Sequence, residues 1–315
     1  MALRVVYFGT PEFAVPTLDA LLASSHLVVG VVTQPDRPRG RGQQVTAGPV
    51  KSLALSRGLP VLQPETLARD LFEQPFAALG ADIGVVAAYG KILPDWLLAT
   101  PRLGLINVHA SLLPRYRGAS PIHRAVMAGD AETGVTIMRV VKALDAGAML
   151  STVRVPIHRD QTTDEVESIL AAKGATLLVE TLEVIEAGRA IETPQDESAV
   201  TYAPKLTKGE GLVDWSWSAT RIHNLIRGLW PWPHAYSFVG GQRHILHRSR
   251  LSALPAAGAP GTILVASAAE GVHVACGDGT AIELLDIQLE GKRVMSARDA
   301  LSARTLLAGA QFTTP

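Results

Sequence analysis

The chain has 315 residues, of which 47% are hydrophobic and 18% charged; that length favours two domains, and that composition excludes a largely disordered chain. The 29 lysines and arginines are balanced by 29 aspartates and glutamates, which excludes a protein that holds nucleic acid by bulk charge alone and leaves only locally clustered basic residues for that purpose. No apolar run reaches the roughly 20 residues of a membrane-spanning helix, and the β-branched run Leu3 to Phe8 is too short for a signal peptide, so a cytoplasmic protein without a membrane partner is expected.

Residues 3–9 and 27–33 are short apolar runs rich in β-branched side chains, separated by a helical stretch from Phe13 to Ala23. That is a βαβ unit with buried parallel strands. Its first turn reads Gly9-Thr10-Pro11-Glu12-Phe13-Ala14 and lacks the Gly-x-Gly-x-x-Gly of pyrophosphate-binding turns, which weighs against a nicotinamide-dependent oxidoreductase. The segment Thr33 to Gln44 that follows is punctuated by glycine and proline and carries Arg37, Arg39 and Arg41. Arginines so placed can meet phosphates bidentately, although such a charge run is equally well a solvated loop. Two further runs, 82–87 and 104–109, continue an open, mostly parallel, Rossmann-like α/β sheet.

Within 104–109 the two-residue period of a strand places Asn107 and His109 on one face, and the strand ends at once in Ser111-Leu112-Leu113-Pro114. An amide and an imidazole therefore stand together at the carboxyl end of a strand, where open α/β sheets hold their ligands. By itself a histidine beside an asparagine there is more often a structural pair. Two later strands, 135–141 and 149–157, are predicted as an antiparallel addition joined by the loop Lys142 to Gly147, which brings in Asp145. A carboxylate beside an imidazole can fix its tautomer and assist proton transfer, whereas a lone loop aspartate is usually a turn former.

A helix with apolar residues at Val166, Ile169, Leu170, Leu177, Leu178, Leu182 and Ile185 is predicted to close a first domain, 1–188. Residues 189–209 lose periodicity and carry Pro194 and Pro204, as a linker does, and 210–315 form a second domain. Short strands at 235–238, 244–246, 262–266, 272–276 and 281–285, spaced by Gly-rich turns, predict a small β-barrel of OB-like character. The single cysteine, Cys276, reads as core packing; it excludes an internal disulfide and a multi-cysteine metal site, and no metal is expected. Four of the five tryptophans, Trp215, Trp217, Trp230 and Trp232, cluster early in this domain, where such rings serve packing more often than base stacking. Arg243, Arg248, Arg250 and Lys292-Arg293 could together present a phosphate-binding face.

The run Asn107 to Ile122, with Asp145-Ala146-Gly147 downstream, resembles the signature of the folate-dependent formyltransferases. The resemblance implies catalytic roles for Asn107, His109 and Asp145, and a donor, 10-formyltetrahydrofolate, bound by Ser111, Leu112, Leu113 and Pro114 with a wall from Val86, Ala87, Ala88, Tyr89 and Gly90. The chemistry suits those residue types. A carboxamide N–H can stabilise an oxyanion without being ionised, and an imidazole can take the proton that an attacking amine loses. No Gly-x-Ser-x-Gly elbow is present, so direct transfer without a covalent intermediate is expected.

The arginine segment and Phe8 to Ala14 are similar to those members of the family that act on methionyl-tRNA. That resemblance implies initiator methionyl-tRNA as acceptor, contacts to it from Arg37, Arg39, Arg41, Lys205 and Lys208, and a role in translation initiation; Arg248 of the basic stretch is a further expected contact, and a monomer is expected. Water or an amino sugar as acceptor, or a non-catalytic RNA-binding module, are the competing readings.

Overall fold

A computed structural model describes residues 2–39, 44–301 and 306–314, with only the backbone given for Pro38, Arg39, Gln44 and Val45. The chain divides into two compact units. The first comprises Met1–Pro121, Thr133–Val155 and Glu167–Ala203, and the second Ile122–Glu132, Pro156–Val166 and Pro204–Pro315.

The first unit is built on seven strands: β1 (Arg4–Gly9), β2 (Leu27–Val32), β3 (Val61–Leu62), β4 (Ile83–Ala87), β5 (Leu105–His109), β6 (Glu132–Arg139) and β7 (Met149–Pro156). They lie in the order β7-β6-β5-β4-β1-β2-β3. Strands β1 to β5 run parallel and β6 runs antiparallel to β5, so the mostly parallel open sheet expected from the alternation of apolar runs is present. The last two strands are also antiparallel to each other, since Arg139 N donates to Ala148 O while Gly134 lies against Val153 O further along. Strand order reverses between β1 and β4, and the ends of these strands, Gly9 and Ala87, are paired neighbours. That reversal opens a crevice at the carboxyl edge of the sheet.

Hydrophobic side chains explain why these segments become strands. Val5, Val6, Tyr7 and Phe8 of β1 are all fully buried, as continuous β-branched and aromatic runs are when a sheet is covered on both faces. Phe8 packs with Phe76 and Tyr89 at ring separations of 5.8 and 5.5 Å. The helix Thr163–Glu186 buries Val166, Leu170, Leu178, Leu182 and Ile185, five of the seven positions named from its periodicity.

The second unit carries β8 (Ala235–Val239), β9 (Gln242–Ser252), β10 (Ile263–Ser267), β11 (Gly271–Ala275), β12 (Ala281–Leu289), β13 (Val294–Ser296) and β14 (Phe312–Thr313). They form one curled antiparallel sheet, a half-barrel, in the order β10-β11-β12-β9-β8-β14, with β13 on the edge of β12. The strands β9 and β12 are longer than their apolar cores suggest because both carry polar residues through register irregularities near Arg248. Trp215 is 5% exposed, stacks on Phe312 at 5.0 Å and donates to Ser237 Oγ at 2.9 Å. Cys276 is buried in the same core, where desolvation pushes its thiol up to about 12.

Candidate active site

Strand β5 delivers the two residues singled out from the sequence. Its register pairs Asn107 with Val86 on one side and Met138 on the other, and His109 with Thr136. Asn107 is partly buried and makes no side-chain hydrogen bond among the described residues. His109 is 5% exposed, with Nε2 3.1 Å from the carbonyl oxygen of Tyr116 and Nδ1 3.6 Å from Oδ2 of Asp145. A carbonyl can only accept, so Nε2 carries the hydrogen and Nδ1 is the free proton site of the neutral ring. The partner that fixes the tautomer is thus the Tyr116 carbonyl, and the carboxylate faces the unprotonated nitrogen.

The turn after β7's partner strand positions Asp145. This residue has φ of 47°, a left-handed conformation that costs a non-glycine residue about 1–3 kcal/mol, although aspartate tolerates it better than most. Its Oδ2 accepts a 2.8 Å hydrogen bond from Gly118 N, and its carbonyl accepts from Gln195 Nε2 at 2.7 Å. Two residues on, Gly147 admits no side chain, because a Cβ there would lie 1.9 Å from the carbonyl oxygen of Arg139. Tyr116 and Ala88 also have positive φ, 63° and 47°. Three of the four non-glycine residues in this conformation among those described therefore stand just after β4, in the loop after β5, or in the turn that carries Asp145, and strained backbone of this kind clusters at functional sites.

The loop 111–114 is held from beneath. Ser111 is fully buried and its hydroxyl donates to Arg115 O at 2.7 Å, while Thr136 Oγ1 donates to Ser111 O at 2.8 Å and accepts from Leu113 N at 3.2 Å. Ser111 therefore shapes the loop through its hydroxyl; Leu113 is buried, and Leu112 and Pro114 are partly exposed. On β4 and beyond, Ala87 and Tyr89 are buried, Val86 is partly so, and Ala88 and Gly90 are exposed. The carbonyl of Tyr89 is bonded by Gln34 Nε2 at 2.7 Å, which ties this wall to the start of the arginine segment.

That segment is a hairpin rather than a loop, with Arg37–Arg39 paired antiparallel to Gln44–Thr46. Its base is fixed by Gln63, which donates to Asp36 Oδ1 at 2.9 Å and to Gln34 O at 3.0 Å, and by Lys51, which bonds Gln63 at 2.6 Å. Arg37 is exposed, the side chain of Arg39 is not described, and Arg41 lies outside the described residues. In the second unit Lys205 and Lys208 are exposed, and the loop between them is held by Arg124, which bonds Glu210 and Pro204 O. Arg248 pairs with Glu165 at 3.1 Å and Arg250 with Glu283 at 2.6 Å, while Arg243 lies over the Tyr236 ring at 4.0 Å. Among the described residues no three His, Cys, Asp or Glu side chains are grouped to hold a metal.

Sequence reading missed Tyr116, Arg117 and Gln195. Arg117 is 4% exposed and donates from Nε and Nη2 to Gln195 Oε1 at 3.0 and 2.8 Å. Of residues 189–209, expected to link two domains, those up to Ala203 are part of the first unit and run beside the site: Thr193 bridges Met149, and Tyr202–Ala203 pairs with Arg117–Gly118. No local spacing announces an 78-residue partnership between Arg117 and Gln195.

Comparison with known proteins accounts for nearly the whole chain. Residues 3–182 match the formyl transferase family, and residues 205–305 match the formyl transferase C-terminal domain. A methionyl-tRNA formyltransferase of Acidobacterium capsulatum is 47% identical over 305 residues, 96% of this chain and 97% of the relative. Among solved structures, an N-formyltransferase from Helicobacter canadensis, crystallised with folinic acid and dTDP-3-aminofucose, superposes with a TM-score of 0.68 at 17% identity, over 90% of this chain and 98% of that one. HypX from Aquifex aeolicus in complex with tetrahydrofolic acid gives 0.64 at 17% identity over 96% of this chain, which spans 47% of that longer protein. At such identities these two speak for the fold alone. The sheet, the residues at the end of β5 and the match across both units converge: this chain belongs to the formyl transferase family of enzymes.

Proposed function

We propose that this enzyme transfers the formyl group of 10-formyltetrahydrofolate to the α-amino group of methionyl initiator tRNA, acting as a cytoplasmic monomer in translation initiation. The observation that carries the chemistry is His109, locked between the Tyr116 carbonyl and Asp145, on the same strand face as an Asn107 whose amide is uncommitted. Support for the acceptor comes from the relative of 47% identity over 96% of the chain, which is named for methionyl-tRNA.

In this reading the amine attacks the formyl carbon and the oxyanion that develops is met by the side-chain N–H of Asn107. Nδ1 of His109, its free proton site, takes the proton the amine loses, with the adjacent Asp145 carboxylate stabilising the imidazolium; the tetrahedral intermediate then collapses, the bond from the formyl carbon to the folate nitrogen breaks, and that nitrogen leaves with the proton passed back from His109. The hydroxyl of Ser111 is spent on Arg115 O rather than poised as a nucleophile, which supports direct transfer. The exposed small residues Ala88 and Gly90, on either side of the buried Tyr89, and the apolar Leu112 to Pro114 are suited to a flat heterocycle, one offering backbone and the other apolar surface. Arg37, Arg39 and Arg41, with Lys205, Lys208 and Arg248, are the proposed tRNA contacts.

The test supplies formyl-tetrahydrofolate with charged initiator tRNA, an amino sugar nucleotide, or no acceptor. Formylated methionyl-tRNA is expected, and His109→Ala is expected to abolish it with tRNA affinity intact. Transfer only to the sugar, formate release without acceptor, or equal turnover by His109→Ala would refute the proposal.

A further inference from the structure

Gln195 stands apart from the residues so far given a chemical role, yet each polar atom of its side chain is committed. The residue is 9% exposed. Its Oε1 receives both N–H groups of Arg117, and its Nε2 donates to Asp145 O at 2.7 Å and to Gly147 O at 2.8 Å. A guanidinium can only donate and a carbonyl can only accept, so the orientation of the amide is forced from both sides. Arg117, itself buried, is anchored in turn by Glu197 Oε1 at 2.7 Å. Donation therefore runs outward from Arg117, to the exposed carboxylate of Glu197 on one side and through the Gln195 amide to the backbone that carries Asp145 on the other.

That backbone needs holding. Residues 142–144 of the same loop are exposed, and Asp145 sits at φ of 47°, which an L-residue leaves when released. The carboxylate has a single hydrogen bond on Oδ2, from Gly118 N, the residue next to Arg117. Both the main chain and the side chain of Asp145 are thus referred to one short piece of chain.

We propose that Gln195, oriented by Arg117, is a positioning residue of formyl transfer, holding the Asp145–Gly147 backbone so that the carboxylate stays opposite His109 Nδ1. The proposal rests on the roles given above to His109 and Asp145. Gln195 touches neither substrate, and its effect passes through Asp145.

Two variants test it. Gln195→Glu keeps the size and the partnership with Arg117 but sets an acceptor against two carbonyl oxygens; Gln195→Met removes all four bonds. The steady-state kcat and both KM values are measured from pH 6 to 9 beside thermal melts and His109→Ala. A displaced active-site group is expected to cost about 10- to 100-fold in kcat with KM values within about threefold. The kcat–pH profile should be displaced, and Gln195→Glu should melt near wild type. A Gln195→Glu enzyme with wild-type kcat and profile overturns the proposal, as does a loss of kcat that only follows the loss of folded protein. If His109→Ala is inactive and Gln195→Glu is normal, the positioning role alone fails; if His109→Ala turns over, the reading beneath it fails.

Discussion

Replacing Asp145 by asparagine isolates the charge of the carboxylate from its shape. Oδ2 of Asp145 lies 3.6 Å from His109 Nδ1 and accepts a hydrogen bond from Gly118 N at 2.8 Å. An asparagine carbonyl can keep the bond to Gly118, so Asp145→Asn leaves the turn in place and removes one negative charge beside the ring that the proposed mechanism makes cationic. At this separation two unit charges interact by about 5 kcal/mol at an effective dielectric of 20 and by about 1 kcal/mol in bulk water. His109 is 5% exposed and the Asp145 side chain 16% exposed, which places the site nearer the first value. A loss of about 2–4 kcal/mol in transition-state stabilisation corresponds to roughly 30- to 1,000-fold in the rate of transfer. The assay is single-turnover formylation with saturating donor and charged tRNA, which reads the chemical step free of product release. Melting temperature and both KM values should stay close to wild type, since the charge acts only as the proton arrives. A rate within threefold of wild type refutes the reasoning, because no imidazolium beside this carboxylate could then form during transfer.

Two further outcomes are expected. Thr136→Val removes the hydroxyl that joins Ser111 O to Leu113 N under a fully buried residue; it should cost about 1–3 kcal/mol of stability and raise KM for the folate donor more than it lowers kcat, and an unchanged KM would break the link between this hydroxyl and the donor loop. Burial, with the Arg124 guanidinium second, pushes the His123 imidazole down to about 4 from 6.5, and burial does the same to His234. Both rings are neutral in the folded chain, so the stability they contribute is full above pH 6.5 and falls as pH drops toward 4. Melts should decline between pH 7 and 5, less steeply in His123→Gln, and a flat profile would contradict the assignment.

Much of the first unit was legible because its signals are local. The two-residue period of β5 pairs Asn107 with His109, and the continuous apolar runs of β1 and β2 announce buried parallel strands. The hairpin at Arg37 was not, since Pro38 in its first strand argues against pairing. Helix Ala219–Gly228 buries Ile222, Leu225 and Ile226 at helical spacing, a short signal overshadowed by the neighbouring tryptophans. Arg117 and Gln195 were hidden for a different reason. Their partnership is fixed by tertiary closure, and the spacing of either residue from Asp145 carries no trace of it.

Gly118 has φ of 127°, and a Cβ on it would lie 2.7 Å from Ala203 O, the strand partner that docks against it. The short pairing of Tyr202–Ala203 with Arg117–Gly118 closes a circuit of some eighty residues, and loops of that length form late because their ordering entropy is lost before any contact is gained. During synthesis, β5 and its histidine emerge long before the segment that steadies the opposing carboxylate. On the roles proposed for Asp145 and Gln195, a nascent chain ending before Thr193 would lack the contacts that steady this carboxylate, and the centre would be completed late in the folding of this unit.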